Sequence, residues 1–257
     1  MTDFAARYGP WAVVAGASEG LGAAFARGLA ARGLRVVLVA RRGDALAEVA
    51  ASLPTEARPV ALDLARADLA DAIAAATADL DVGLVVYNAA YAPIGAFADV
   101  PLADKLRVVD VNCRGPVTLA HEFAGRLLRR GRGGIVLMSS LTAFFGSPRL
   151  ATYGATKAFN LALGEALWAE LRPGGVDVLV CCAGATRTPG FDRQTGGAGP
   201  RAMTADAVVD ASLAALGRRP ILVPGRVNRF AAWLLARALP RRAAVAIMGG
   251  QTKRLRP

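Results

Sequence analysis

The sequence predicts an α/β fold, a doubly wound parallel sheet of about seven strands with helices on both faces. Three observations carry this. Short Val/Leu-rich runs alternate with Ala-rich stretches of helical length, the pattern of strands covered on both sides. The first apolar run opens into a glycine-punctuated turn and then a helix. At 257 residues and 54% hydrophobic, with no internal repeat, low-complexity block or linker, the chain suits one substantial core. We expect one domain over residues 1–225 and a basic helical extension over residues 226–257.

The first strand is expected at 11–15, Trp-Ala-Val-Val-Ala, and the first crossover helix at 20–32. Between them Gly16 permits a tight turn, Gly20 removes a side chain where an anion approaches, and Gly22 lets the helix pack closely on the strand. With Ser18, Glu19 and Leu21 these glycines form a phosphate cradle whose free N–H groups face the ligand. Further strands are expected at 34–40, 58–62, 83–87, 133–139, 176–182 and 220–223. Helices fall between them at 43–53, 66–78, 101–130, 151–172 and 204–217, so strand, crossover helix and strand repeat along the chain.

Tyr153 and Lys157 stand four residues apart in a predicted helix and therefore share one face. An ammonium beneath the phenol would stabilise a phenolate, which a tyrosine needs in order to exchange protons near neutral pH. Ser140 lies at the end of the strand thirteen positions upstream of Tyr153; its neighbour Ser139 points to the opposite face by strand alternation.

The spacing of Gly16, Gly20 and Gly22, with Asn112, Ser140 and Tyr153-x-x-x-Lys157, resembles the classical short-chain dehydrogenase/reductase family over nearly the whole chain. The opening Tyr8-Gly9-Pro10-Trp11 is similar to the branch containing very-long-chain 3-oxoacyl-CoA reductases and 17β-hydroxysteroid dehydrogenases. The resemblance implies a Rossmann-type fold and a ketone/secondary-alcohol interconversion on an apolar carbonyl substrate. Tyr153 would give the proton, Ser140 would hold the carbonyl oxygen, and Lys157 would lower the tyrosine pKa and anchor the nicotinamide ribose. Asn112 would hold a water beside the lysine. Asp63 matches the position that touches adenine, Asn88 the asparagine of the Asn-Asn-Ala-Gly segment, and Thr188 the threonine that holds the carboxamide. Thr188 could instead be a helix N-cap. Ala15, Tyr87, Ala90 and Ala183 depart from the family's usual Thr, Asn, Gly and Pro. The same site could serve alcohol oxidation or half of an epimerisation, and a silent nucleotide-binding scaffold is the alternative of another class.

The second strand ends Val39-Ala40-Arg41-Arg42. An acid there would bind the adenosine ribose of NAD, whereas a guanidinium can pair with the extra phosphate of NADP; the arginines, Arg41 first, favour NADP(H). Cys113, Cys181 and Cys182, odd in number, suit neither a disulfide framework nor a zinc spacing and are expected as reduced thiols. We expect no metal, and a structural rather than catalytic His121. The Gly-rich stretch from Phe191 to Met203 reads as a substrate lid or a loose loop, and Phe144, Phe145 and Phe191 as pocket lining or core.

Charge is uneven. Residues 211–257 carry 10 Lys and Arg and no acid, while the preceding 210 residues hold 21 bases and 20 acids. A nucleic-acid binder would spread basicity over a reading face, so none is expected. No secretory signal opens the chain, and a cytoplasmic protein is expected. The apolar runs of the tail are too short to span a bilayer. The tail should form amphipathic helices that pack on the same chain or across a homo-oligomer, the preferred reading, or lie peripherally on a membrane surface.

Overall fold

The computed structural model describes residues 3–195, 202–253 and 255. Its elements in chain order are α1 Asp3–Tyr8, β1 Trp11–Ala15, α2 Gly20–Ala30, β2 Arg35–Ala40, α3 Gly43–Ala51, β3 Ala57–Ala61, α4 Leu69–Ala76 and β4 Val82–Tyr87. The second half continues with α5 Leu102–Val109, α6 Gly115–Arg130, β5 Gly133–Ser140, α7 Ala151–Leu171 and β6 Val176–Ala183. Then come β7 Thr186–Arg187, α8 Pro189–Thr195, β8 Met203–Thr204, α9 Ala205–Ala215, β9 Ile221–Leu222, α10 Arg226–Trp233 and α11 Arg241–Thr252.

Seven strands form one parallel sheet in the order β3-β2-β1-β4-β5-β6-β9. The chain winds outward from β1 to β3, then returns to β4 beside β1. That reversal opens a crevice at the carboxyl ends of β1 and β4, where ligands of such sheets bind. Alternation along β1 feeds both faces: Ala12 and Val14 join Phe25, Leu29 and Val209 on one side, while Trp11 and Val13 join Ile73, Phe123 and Leu127 on the other. Pro59 is tolerated in β3 because that strand is an edge.

The expected strands stand within two residues of their places, and three features of the segments between and after them bear on the site. The helix expected at 101–130 runs from Leu102 to Arg130, with a π-helical turn, Asp110–Arg114, between α5 and α6. The Gly-rich stretch is bounded by α8 and β8, with Phe191 in the helix; the expected lid itself, 196–201, lies outside the described residues. The tail folds back on its own chain, where Ala244, Met248 and Leu235 pack against Phe144 and Phe145. Phe145, 3% exposed, is thus core beneath the extension.

Candidate active site

The glycine turn is fixed by close approach. Gly16 has φ +83, and a Cβ there would stand 2.7 Å from the backbone N and Cα of Ala89. A Cβ on Gly22 would meet the Gly16 carbonyl oxygen at 1.9 Å, so α2 can start against the turn only with glycine there. Asn88, at the end of β4, donates from Nδ2 to that same carbonyl at 3.0 Å and clips the turn to the sheet.

A cleft of about 510 Å³ runs from the turn across the ends of β2 and β3, lined by Gly16, Ser18, Glu19, Gly20, Leu21 and Arg41 among others. At the turn itself Arg42 donates to Glu19 Oε2 at 2.9 Å, and Arg193 of α8 reaches Glu19 Oε1 at 2.7 Å. Burial raises the Glu19 pKa, but the two arginines more than offset it and hold the carboxyl below its ordinary value. Arg41 is exposed and makes no ion pair among the described residues. Asp63 accepts from Ala65 N at 3.0 Å and from Arg107 at 2.8 Å; burial raises its pKa, and these donors bring it below the ordinary value.

The cleft continues to a second chamber lined by Leu21, Asn88, Ser140, Tyr153, Lys157, Gly184 and Thr188. Ser140 closes β5 and caps the next turn, its Oγ accepting from Thr142 N at 3.2 Å. Lys157, 3% exposed, donates from Nζ to the Met138 carbonyl at 2.9 Å and lies 5.4 Å from the Tyr153 ring centroid. Burial lowers the lysine pKa to about 8. Burial also holds the Tyr153 phenol above its ordinary value, partly countered by the Ser140 hydroxyl. The group that lowers the phenol pKa here is the Ser140 hydroxyl, while Nζ of Lys157 is directed at the Met138 carbonyl. Ser139, which also borders the chamber, is engaged by its hydroxyl donating to the Lys157 carbonyl at 2.7 Å.

Asn112 sits on the π-helical turn, fully buried. Its Oδ1 accepts from Tyr91 N at 2.8 Å, and its Nδ2 donates to Tyr91 O at 3.0 Å and Thr156 Oγ1 at 3.1 Å. The side chain thus braces the Tyr91 segment against the residue before Lys157. Thr188 does cap α8, accepting from Phe191 N at 3.2 Å, and also borders both chambers. His121 is exposed on α6, remote from the lining; Cys181 and Cys182 are buried free thiols and Cys113 a half-buried one.

Sequence reading missed Arg107, Arg193, Tyr91 and Thr156. Each joins the site through a partner 21 to 174 positions away, so no local spacing marks it.

A Rossmann-type sheet with a glycine cradle at its switch point defines a nucleotide-binding α/β protein. Residues 10–196 match the family model of the short chain dehydrogenases. The chain is 33% identical over 235 residues to the 7beta-hydroxysteroid dehydrogenase of Clostridium sardiniense, covering 88% of this chain and 90% of that one. It is 32% identical to the very-long-chain 3-oxoacyl-CoA reductase of Bos taurus, over 66% of this chain and 57% of the other. A solved 7beta-hydroxysteroid dehydrogenase superposes with TM-score 0.90 at 29% identity, covering 95% of this chain and 98% of its own. A short-chain dehydrogenase from Sphingobium yanoikuyae in complex with NADPH gives 0.76 at 31%, covering 89% and 94%. The chain belongs to the short-chain dehydrogenase family.

Proposed function

We propose that this protein is an NADP(H)-dependent oxidoreductase that interconverts a ketone and a secondary alcohol on an apolar, steroid-like substrate. One observation carries the reading. Ser140, Tyr153 and Lys157 line a chamber continuous with the cleft that the glycine turn and Arg41 border. The substrate class is supported by the hydroxysteroid dehydrogenase relatives, the cofactor by Arg41 and Arg42 where NAD would call for an acid.

The residues fit a dinucleotide. The turn at Gly16–Gly22 leaves no room for a Cβ and would hold the pyrophosphate, with Ser18, Glu19 and Leu21. Arg41 is the free guanidinium for the 2′-phosphate, and Asp63 and Asn88 border the adenosine side. Tyr153, Lys157 and Thr188 would hold the nicotinamide end. The bound cofactor supplies or accepts the hydride.

The chain does the rest. Tyr153 protonates the carbonyl oxygen as it gains charge, and Ser140 donates to the same oxygen. Burial keeps the phenol protonated, the state required of a general acid, and the Lys157 cation over the ring limits the cost of phenolate once the proton has left. The Asn112 side chain, engaged by Tyr91 and Thr156, positions the residue before Lys157.

Tyr153→Phe tests the reading. It should cut turnover of ketones by about 10²-fold or more while NADPH binding stays within about threefold; unchanged turnover with every ketone that the wild type reduces would overturn it.

Leu102, Leu106, Val109 and Val117 of the α5–α6 segment and Phe159 of α7 are exposed, which supports a homo-oligomer covering them with a second copy. Sedimentation as a monomer at micromolar concentration would remove that support.

A further inference from the structure

The inner side of the C-terminal extension is committed to its own chain. Arg241 donates to Phe144 O at 3.0 Å, and Arg149 donates to the carbonyls of Thr252, Lys253 and Leu255 at the end of α11. On α10, Ala232 is buried, and Asn228 donates to Pro224 O at 3.0 Å and abuts Gly184. The outer side is uncovered. Val227, Phe230 and Trp233 are 73%, 62% and 55% exposed, spaced at i, i+3 and i+6 so that they form one stripe. The rings of Phe230 and Trp233 stack with centroids 6.1 Å apart. Exposed Arg226, Arg229 and Arg237 lie along the stripe, and none of the three forms an ion pair among the described residues.

We propose that this face of α10 docks on an anionic lipid surface. The aromatic and aliphatic side chains enter the headgroup region, and the arginines pair with lipid phosphates. Charge selects this occupant over a second copy. Two copies meeting through the stripe would set Arg226, Arg229 and Arg237 against their own equivalents, with no acid anywhere in residues 211–257 to relieve the repulsion. The contact is peripheral: among the described residues no helix is long and apolar enough to cross a membrane.

Docking there has a consequence for substrate. Gly184, against which Asn228 packs, lines the chamber of Ser140, Tyr153 and Lys157. A helix that walls the chamber would then rest on the phase in which an apolar ketone concentrates. This consequence rests on the proposed function; lipid binding itself does not.

The experiment is co-sedimentation of the full chain with phosphatidylcholine vesicles containing one-third phosphatidylglycerol, and with phosphatidylcholine alone, at low and high salt. Wild type should bind the anionic vesicles and release with salt. Arg226→Gln/Arg229→Gln should weaken binding about 25-fold at low salt, roughly fivefold per arginine, and Phe230→Ser/Trp233→Ser at least about tenfold. All four positions are exposed, and thermal unfolding checks that the variants keep the fold. The proposal is overturned if wild type stays in the supernatant or if the variants bind as well as wild type. It is equally overturned by a lipid-free self-association that Phe230→Ser/Trp233→Ser abolishes, which would make the face an interface between copies.

Discussion

The phenol of Tyr87 occupies the space a side chain at Gly115 would need: a Cβ on Gly115 would stand 2.0 Å from the Tyr87 hydroxyl oxygen. That hydroxyl donates to the Val111 carbonyl at 2.6 Å, inside the π-helical turn that carries Asn112. A π turn leaves its carbonyls without their α-helical partners, and such turns gather at functional sites. Tyr87, where the family commonly has Asn, thus holds the turn, and Gly115 makes the room.

Gly115→Ala should therefore destabilise the protein by about 1–3 kcal/mol through overpacking. Tyr87→Phe keeps the shape but strands a buried carbonyl, costing about 1–3 kcal/mol. Denaturant midpoints measure both. Because Asn112 braces the residue before Lys157, kcat should fall in Tyr87→Phe while nucleotide affinity holds. A stability loss with unchanged kcat would separate the turn from the site.

The same region shows what the sequence could and could not disclose. The strands were legible because Val13, Val14, Val36–Val39 and Leu84–Val86 make uninterrupted apolar runs, buried in the structure. The cradle, Ser140, Tyr153 and Lys157 were legible because chemistry fixes their local spacing. The π turn at Asp110–Arg114 was not, since nothing between Leu102 and Arg114 is Gly or Pro and the helical pattern runs through it. Its cause, Tyr87, lies 24 residues from the carbonyl it binds. Arg107 on Asp63 and Arg193 on Glu19 escaped for the same reason, being tertiary pairs. Thr188 both caps α8 and borders the cleft, so the two alternatives its sequence position offers coexist.

Arg41 should set cofactor choice. Among the described residues it is the cleft arginine without an ion pair, whereas Arg42 is drawn to Glu19 at 2.9 Å. Arg41→Ala should lower kcat/KM for NADPH by about 10–100-fold, the worth of a charge-assisted contact, and leave NADH within about threefold. Parallel oxidation assays with the two nucleotides decide it; equal losses for both would show that Arg41 does not read the phosphate.

Arg149 ties the extension to the catalytic loop. Among the described residues it is the non-glycine residue with positive φ, +67, and it lies four positions before Tyr153. Three carbonyls at the end of α11 accept from its Nη1 at 2.9–3.2 Å. Strain of this kind persists only where surrounding bonds over-determine it. Arg149→Gly relieves the backbone but deletes the clamp, so α11 should open more often, with tryptic cleavage in the tail accelerated about tenfold. Cleavage at the wild-type rate would show that apolar packing on Phe145 alone holds the extension.

Burial of Lys157 makes a pH signature that is specific to one side chain. Its pKa falls from 10.5 to about 8 in the folded protein. Below about 8 both folded and unfolded chains hold the proton, and the folded state carries the full penalty of a buried charge. Between about 8 and 10.5 only the unfolded chain remains protonated, so it binds more protons and stability rises with pH. The thiols act oppositely: burial raises Cys181 and Cys182 from 9.0 to about 12, so above 9.0 the unfolded chain loses their protons first and stability falls. Both thiols are present in Lys157→Met as well, so the burial that dominates their shifts cancels in the difference between the two proteins. Without nucleotide, the unfolding free energy of wild type relative to Lys157→Met should climb across that window by up to on the order of 3 kcal/mol and be flat below it. Parallel profiles for the two proteins would mean that the ammonium is solvated in the folded state and that its bond to Met138 does not mark a dry site.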